Sequence, residues 1–221
     1  RRGGRISGAW ESGFISFNYL YHFDDMPVLR RSFDTTGSVP RLVISPAYAR
    51  THTGGTTFRQ RMGPVTLRWE AAFWKDRFFQ SQDPADADGV VKSDEVRYVV
   101  GLDIAGLPKA FLSLQFFQNR TLDNPPGMVR KQQESRVSVL FRRTALDGNV
   151  SFEGFLLQNL HQKDGLFRPK ISYNARSGVR VWSGFDVFYG DDSGFFGQFE
   201  NRDRFVVGAS WQFGSIFNTE R

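Results

Sequence analysis

From Phe205 to Phe213 the chain reads Phe-Val-Val-Gly-Ala-Ser-Trp-Gln-Phe, and its odd positions are Phe, Val, Ala, Trp and Phe. Side chains of an extended strand point alternately to opposite faces, so this ribbon has one apolar face and one mild one. The same two-residue period recurs along most of the chain. Phe14 to Phe23 sets Ile15, Phe17, Tyr19 and Tyr21 against Ser16, Asn18 and His22, with Leu20 out of pattern. Val65, Leu67, Trp69, Ala71 and Phe73 alternate with Thr66, Arg68, Glu70 and Ala72. Weaker or shorter runs cover Tyr48–Phe58, Tyr98–Ile104, Phe111–Gln118, Val137–Phe141, the stretch from Val150, Ile171–Tyr173 and Val179–Tyr189. No helical period of 3.6 residues competes with them. The chain is expected to be all-β, with about ten visible strands.

The connections sharpen that expectation. Short turns at 62–64, 106–109, 146–149 and 175–178 alternate with longer connections at 24–47, 77–93, 119–133 and 190–203, and with a moderate one at 161–167. Asp147-Gly148 is a strong tight-turn signal. Long and short loops segregated in this way are expected of an antiparallel transmembrane β-barrel of the outer-membrane kind, in which one end carries short turns. The barrel strands are assigned to residues 1–213 and a short periplasmic tail to 214–221, with Trp211 and Phe213 as the assembly signal. The opening Arg1-Arg2-Gly3-Gly4 has no apolar leader and runs almost directly into a strand, so further strands are expected upstream.

Composition narrows the classes. There is no cysteine, which removes disulfides and thiolate metal sites and suits an oxidising compartment. Phenylalanine alone supplies 23 residues, yet the mean hydropathy is −0.40. A helical span needs about 20 consecutive apolar residues, and no such run exists. A barrel hides its apolar half in alternate positions and so averages out as hydrophilic. The net charge of +6 invites a nucleic-acid reading. The arginines, however, are scattered singly along strands, so no nucleic-acid partner is expected.

Alternation alone does not say which face is wet. An inward apolar face describes a soluble carrier of hydrophobic ligands, and an outward one a membrane wall. The opposite face carries Arg68, Glu70, Arg97, Asp103, Arg136, Arg142, Glu153, Arg168, Lys170, Arg180, Asp186 and Arg204. These twelve are the candidate lumen-lining residues. Aromatics at strand ends, such as Tyr21 with Phe23 and Phe188 with Tyr189, resemble interfacial girdles. The expectation is a barrel in the outer membrane of a Gram-negative envelope.

Several blocks then look familiar. They are Phe23-Asp24-Asp25-Met26-Pro27, Gly63-Pro64-Val65-Thr66-Leu67-Arg68-Trp69-Glu70-Ala71-Ala72, Asp88-Gly89-Val90-Val91-Lys92, Leu166-Phe167-Arg168-Pro169-Lys170-Ile171-Ser172-Tyr173 and Gly194-Phe195-Phe196-Gly197-Gln198-Phe199. They are similar to the C-terminal half of a porin-like outer-membrane family of proteobacteria. Its roles are largely undefined and are discussed with export of lipid or hydrophobic compounds. The resemblance implies a longer barrel and carries no catalytic motif. Gly214 to Arg221 extends past the family's terminal aromatic.

No enzyme chemistry is expected. There is no Gly-x-Ser-x-Gly elbow and no helical histidine pair, and His22, His52 and His161 are isolated. Asp83, Asp86 and Asp88-Gly89 resemble a calcium loop, but Pro84 occupies a ligand position and the closing Glu is missing, so an acidic surface loop is favoured. Asp191-Asp192-Ser193-Gly194 reads as a turn. Neither cofactor nor metal is expected. The partners expected are outer-membrane lipid, the barrel-assembly machinery and other envelope proteins. The candidate lumen set holds eight basic and four acidic residues, which favours anionic or amphiphilic solutes. Equally open is a set of charges that pair with one another and select nothing. A second class of function is a structural barrel that docks an envelope assembly through the Phe-rich loop at Gly194–Phe199.

Overall fold

A computed structural model of the chain describes residues 2–175 and 178–212. It is all-β, with strands β1 (Arg2–Trp10), β2 (Gly13–Phe23), β3 (Val28–Asp34), β4 (Arg41–Ala47), β5 (Arg50–Met62), β6 (Val65–Gln80) and β7 (Val90–Ile104). They are followed by β8 (Ala110–Thr121), β9 (Gln133–Ala145), β10 (Val150–Asn159), β11 (Gly165–Asn174), β12 (Val179–Tyr189) and β13 (Arg204–Trp211). Eleven form one antiparallel sheet in the order β1-β2-β5-β6-β7-β8-β9-β10-β11-β12-β13, while β3 and β4 pair as a separate hairpin. Apart from that excursion, sequence neighbours are sheet neighbours.

All ten expected strands lie in the large sheet. The eleventh is β1, paired along its whole length with β2 from Arg2 opposite Tyr21 to Trp10 opposite Gly13. The sheet therefore has eleven strands where about ten were expected. Its order ends at β1 and at β13, and no closed barrel is found among the described residues. Contacts divide the chain into two compact units, Arg1–Gly101 with Phe116–Ser135 and Leu102–Gln115 with Arg136–Arg221.

Connections alternate in length as expected. Short ones cover 11–12, 63–64, 105–109, 146–149 and 175–178, and between them fall 24–49, 81–89, 122–132, 160–164 and 190–203. Gly63 opens the two-residue β5–β6 turn at φ +59°, a conformation that a side chain resists. Two boundaries differ from the reading of the sequence. The 160–164 connection is shorter than expected, because Asn159 caps it: its backbone N–H bonds the Asp164 carbonyl and its amide bonds Gln162. The 77–93 loop shrinks to 81–89, because the charged residues that seemed to end β6 find partners within the fold.

Burial runs opposite to that of a water-soluble sheet. Among the described residues, buried apolar side chains are confined to Val28, Phe79 and Val90, while buried polar ones include Ser16, Thr53, Glu95, Ser113, Ser138, Ser172 and Asp186. Ser16 is 1% exposed, but the neighbouring Phe17 is 56% exposed. On β13, Phe205, Val207 and Trp211 are all open. Registers link apolar positions of the same face: exposed Phe17 lies opposite exposed Ile6, half-buried Phe58 opposite exposed Trp69, and exposed Phe185 opposite exposed Phe205.

Candidate functional site

The twelve candidate residues lie on the polar parity of their strands, opposite the exposed apolar band. In the unit that holds β9–β13, registry brings most of them together. Arg142 lies opposite Glu153, and Glu153 opposite Lys170. The Arg142 guanidinium donates to the Glu153 carboxylate at 2.5 Å. One row further along, Asp186 accepts from Arg168 at 2.6 Å and from Arg204 at 2.7 Å. Asp186 is buried while both arginines stay half-exposed, so one carboxylate holds two guanidinium groups toward solvent. Arg180 donates to Ser172 at 3.2 Å. Lys170 places its ammonium 4.8 Å from the Trp182 ring centroid, within cation–π range. Arg136 sits opposite Asn159, and Asp103 shares the parity of Arg97 on β7.

In the other unit, Arg68 lies opposite Arg59 and Glu70 opposite Thr57. Glu70 and Arg97 face the same shallow depression, of which Asn18 is also a wall. Arg59 was hidden from sequence reasoning by the weak pattern of Tyr48–Phe58.

That unit also holds a cluster missed in the sequence. The side chain of Glu95 is 0% exposed and is met by Arg77, by Arg97 at 2.9 Å and by Arg130 at 3.2 Å. Arg77 reaches on to Asp24 at 2.6 Å. A left-handed residue, Asp76 at φ 55°, sits just before Arg77 in β6. Burial pushes the Asp24 carboxyl up, but the Arg77 guanidinium and the Met26 and Asp25 backbone N–H groups outweigh it and hold the group below its ordinary value. Burial also pulls Arg130 below the usual guanidinium value; the charge of Glu95 opposes this, and those of Arg97 and Arg77 add to it. The readable signal was parity: Glu95 lies two residues before Arg97 on one face of β7.

The remaining motifs resolve as structure. The Asp83–Gly89 loop is held by a cation of the chain itself: Arg31 donates to the Asp83 and Asp86 carbonyls at 2.5 Å each, and Arg30 pairs with Asp88 at 2.7 Å. His52 bonds Tyr19 at 2.6 Å, and His22 bonds Thr53 at 2.9 Å. Gly194 N–H bonds the Asp191 carbonyl in the expected turn, and Asp164 accepts from Phe196 N–H at 2.7 Å. Among the described residues no group of His, Cys, Asp or Glu is arranged to hold a metal ion. Trp211 is exposed on the apolar parity, while Phe213 and the expected 214–221 tail lie outside the described residues. No protein-family profile and no curated protein matches the chain.

Proposed function

We propose that the chain is part of an outer-membrane β-barrel of the porin-like kind that its sequence blocks resemble, and that it passes small or amphiphilic solutes with a preference for anions. One observation carries the reading: apolar side chains are exposed and polar ones buried. In lipid this ordering is favourable, because the apolar band meets acyl chains and the polar face encloses water. A carrier dissolved in water would need an apolar interior, and the three buried apolar side chains among the described residues do not make one. The strands of the large sheet run from 8 to 16 residues, around the 9–11 or so that a tilted strand needs to cross. Anion preference follows from Asp186 and Glu153, which are each matched or outnumbered by the basic groups around them.

The test is reversal-potential measurement on the purified chain in planar bilayers under a salt gradient. Chloride permeability above that of potassium is expected, and a non-conducting or cation-selective protein rejects the reading. The second reading, a docking barrel, draws on Phe195, which is exposed in the loop after β12 and packs edge-on against Phe196. Deletion of 194–199 that releases a co-purifying envelope protein would favour it.

A further inference from the structure

Strand alternation on β9–β13 would put only small or polar residues on the polar face, yet apolar ones stand there too, and four of them gather at one place. Phe155 lies opposite both Leu140 and Arg168, Val206 lies opposite Gly184, and Trp182 lies opposite Ser172 and Gly208. They border a cavity of about 440 Å³, with Arg168, Lys170 and Asp186 also in its wall. That volume lies within the range of small-molecule sites. Apolar groups on a wet wall gain nothing until something apolar covers them.

Two glycines shape the cavity. A Cβ at Gly208 would strike the indole of Trp182, so its absence lets the ring lie across β13. A Cβ at Gly184 would come within 2.6 Å of the Pro169 carbonyl, so the centre of the site stays bare backbone. The charged side of the same cavity holds Arg168 and Lys170 beside Asp186 and Glu153, and the Glu153 carboxylate is already engaged by Arg142 from the next strand. Arg168 and Arg204 share the one carboxylate of Asp186, and the ammonium of Lys170 rests over the Trp182 ring.

The geometry points to a subsite for a flat apolar anion, an aromatic carboxylate such as naphthoate, whose head meets Lys170 and Arg168 and whose body lies against Trp182 and Phe155. This rests on the part of the reading above that makes the polar face wet and open to solute, and not on conduction itself. A neutral aromatic lacks a group for Lys170, and inorganic phosphate lacks a body for Trp182. The subsite therefore differs from simple charge attraction, which would treat all anions alike.

Equilibrium dialysis of the full chain in lipid nanodiscs, against protein-free nanodiscs, separates these cases with three probes: 2-naphthoate, 2-naphthalenemethanol and inorganic phosphate. Saturable naphthoate binding is expected, about tenfold tighter than the neutral alcohol, as loss of a charge-assisted contact implies. Lys170→Gln should remove that preference, and Trp182→Ala should weaken both aromatic probes alike. Equal binding of alcohol and naphthoate, phosphate binding as tight as naphthoate, or indifference to both substitutions overturns the subsite. Conductance of the same preparations reports on the pore independently. A conducting protein without naphthoate binding loses the subsite alone, and a silent protein that binds naphthoate keeps the subsite and loses the pore.

Discussion

A carboxylate with no exposed surface is tolerated only where cations meet it, and Glu95 meets Arg77, Arg97 and Arg130. Replacing it with alanine would leave three guanidinium groups facing one another around a void. The expected cost is about 3 kcal/mol, the low end for a broken buried pair, because Arg97 and Arg130 still reach solvent. Denaturant unfolding of Glu95→Ala in detergent measures it, and a change below about 1 kcal/mol would show that the cluster relaxes freely. Asp24, one link along the same chain of charges, governs the acid side. Its folded value lies below the ordinary 3.8. Its contribution is therefore fully present above that ordinary value and is lost as pH falls through the lower, folded one. Amide exchange in the 24–49 connection, corrected for intrinsic rates, should rise on going from about pH 5 to about pH 3. Asp24→Asn has no such carboxylate to titrate and should show high exchange at both values.

At the scale of elements, the β3–β4 hairpin stands outside the large sheet and is tied down by β3. Arg31 gives its backbone N–H to the Asp88 carbonyl at 2.9 Å and its guanidinium to the Asp83 and Asp86 carbonyls, while Gln80 donates to the Leu29 carbonyl at 3.1 Å. Loss of the charged donor should free the hairpin without touching the sheet. Arg31→Ala is expected to speed chymotryptic cleavage within 28–47 about tenfold, since bonds from charged groups contribute about 1.5–3 kcal/mol. Cleavage elsewhere should be unchanged. This hairpin was not legible in the sequence, where Val28 to Ala47 has no clean alternation: Arg30, Arg31 and Arg41 interrupt it, and apolar Leu42, Val43 and Ile44 run consecutively. β1 was obscured for another reason. Gly3, Gly4 and Gly8 leave its pattern blank, although Gly3 is required because a Cβ there would strike Tyr19 and Leu20. By contrast β2, β6, β12 and β13 were legible because both faces are populated with side chains of opposite character. Of the site, the paired charges on β9–β13 followed from parity. Trp182 could have been found by the same rule, since Val181 and Phe185 fix the apolar parity and leave it on the other. The Glu95 cluster needs Asp24, Arg77 and Arg130 from three separate stretches, and pairing at such separation has no local signal.

For the molecule as a whole, what distinguishes a membrane wall from a soluble sheet is where water stops. Val207 and Ser210 are three residues apart on β13, both exposed, and of opposite parity. Protein geometry alone gives them similar accessibility, so any difference in reactivity comes from the medium that each one meets. The chain has no cysteine, so a single introduced thiol is an unambiguous probe. If the proposed barrel is right, a membrane-impermeant maleimide should label Ser210→Cys readily in proteoliposomes, because a polar face that holds water ionises the thiol and admits the reagent. On the same reading Val207→Cys should resist labelling until the bilayer is dissolved, because hydrocarbon over the apolar band would exclude the charged reagent and hold the thiol neutral. Phe185→Cys, opposite Phe205 on the neighbouring strand, should behave like Val207→Cys. Arg180→Cys, opposite Ser210, should behave like Ser210→Cys. Equal labelling of all four positions would mean that the apolar band meets water, and a protein that labels so while staying monodisperse without detergent would not be a membrane wall at all.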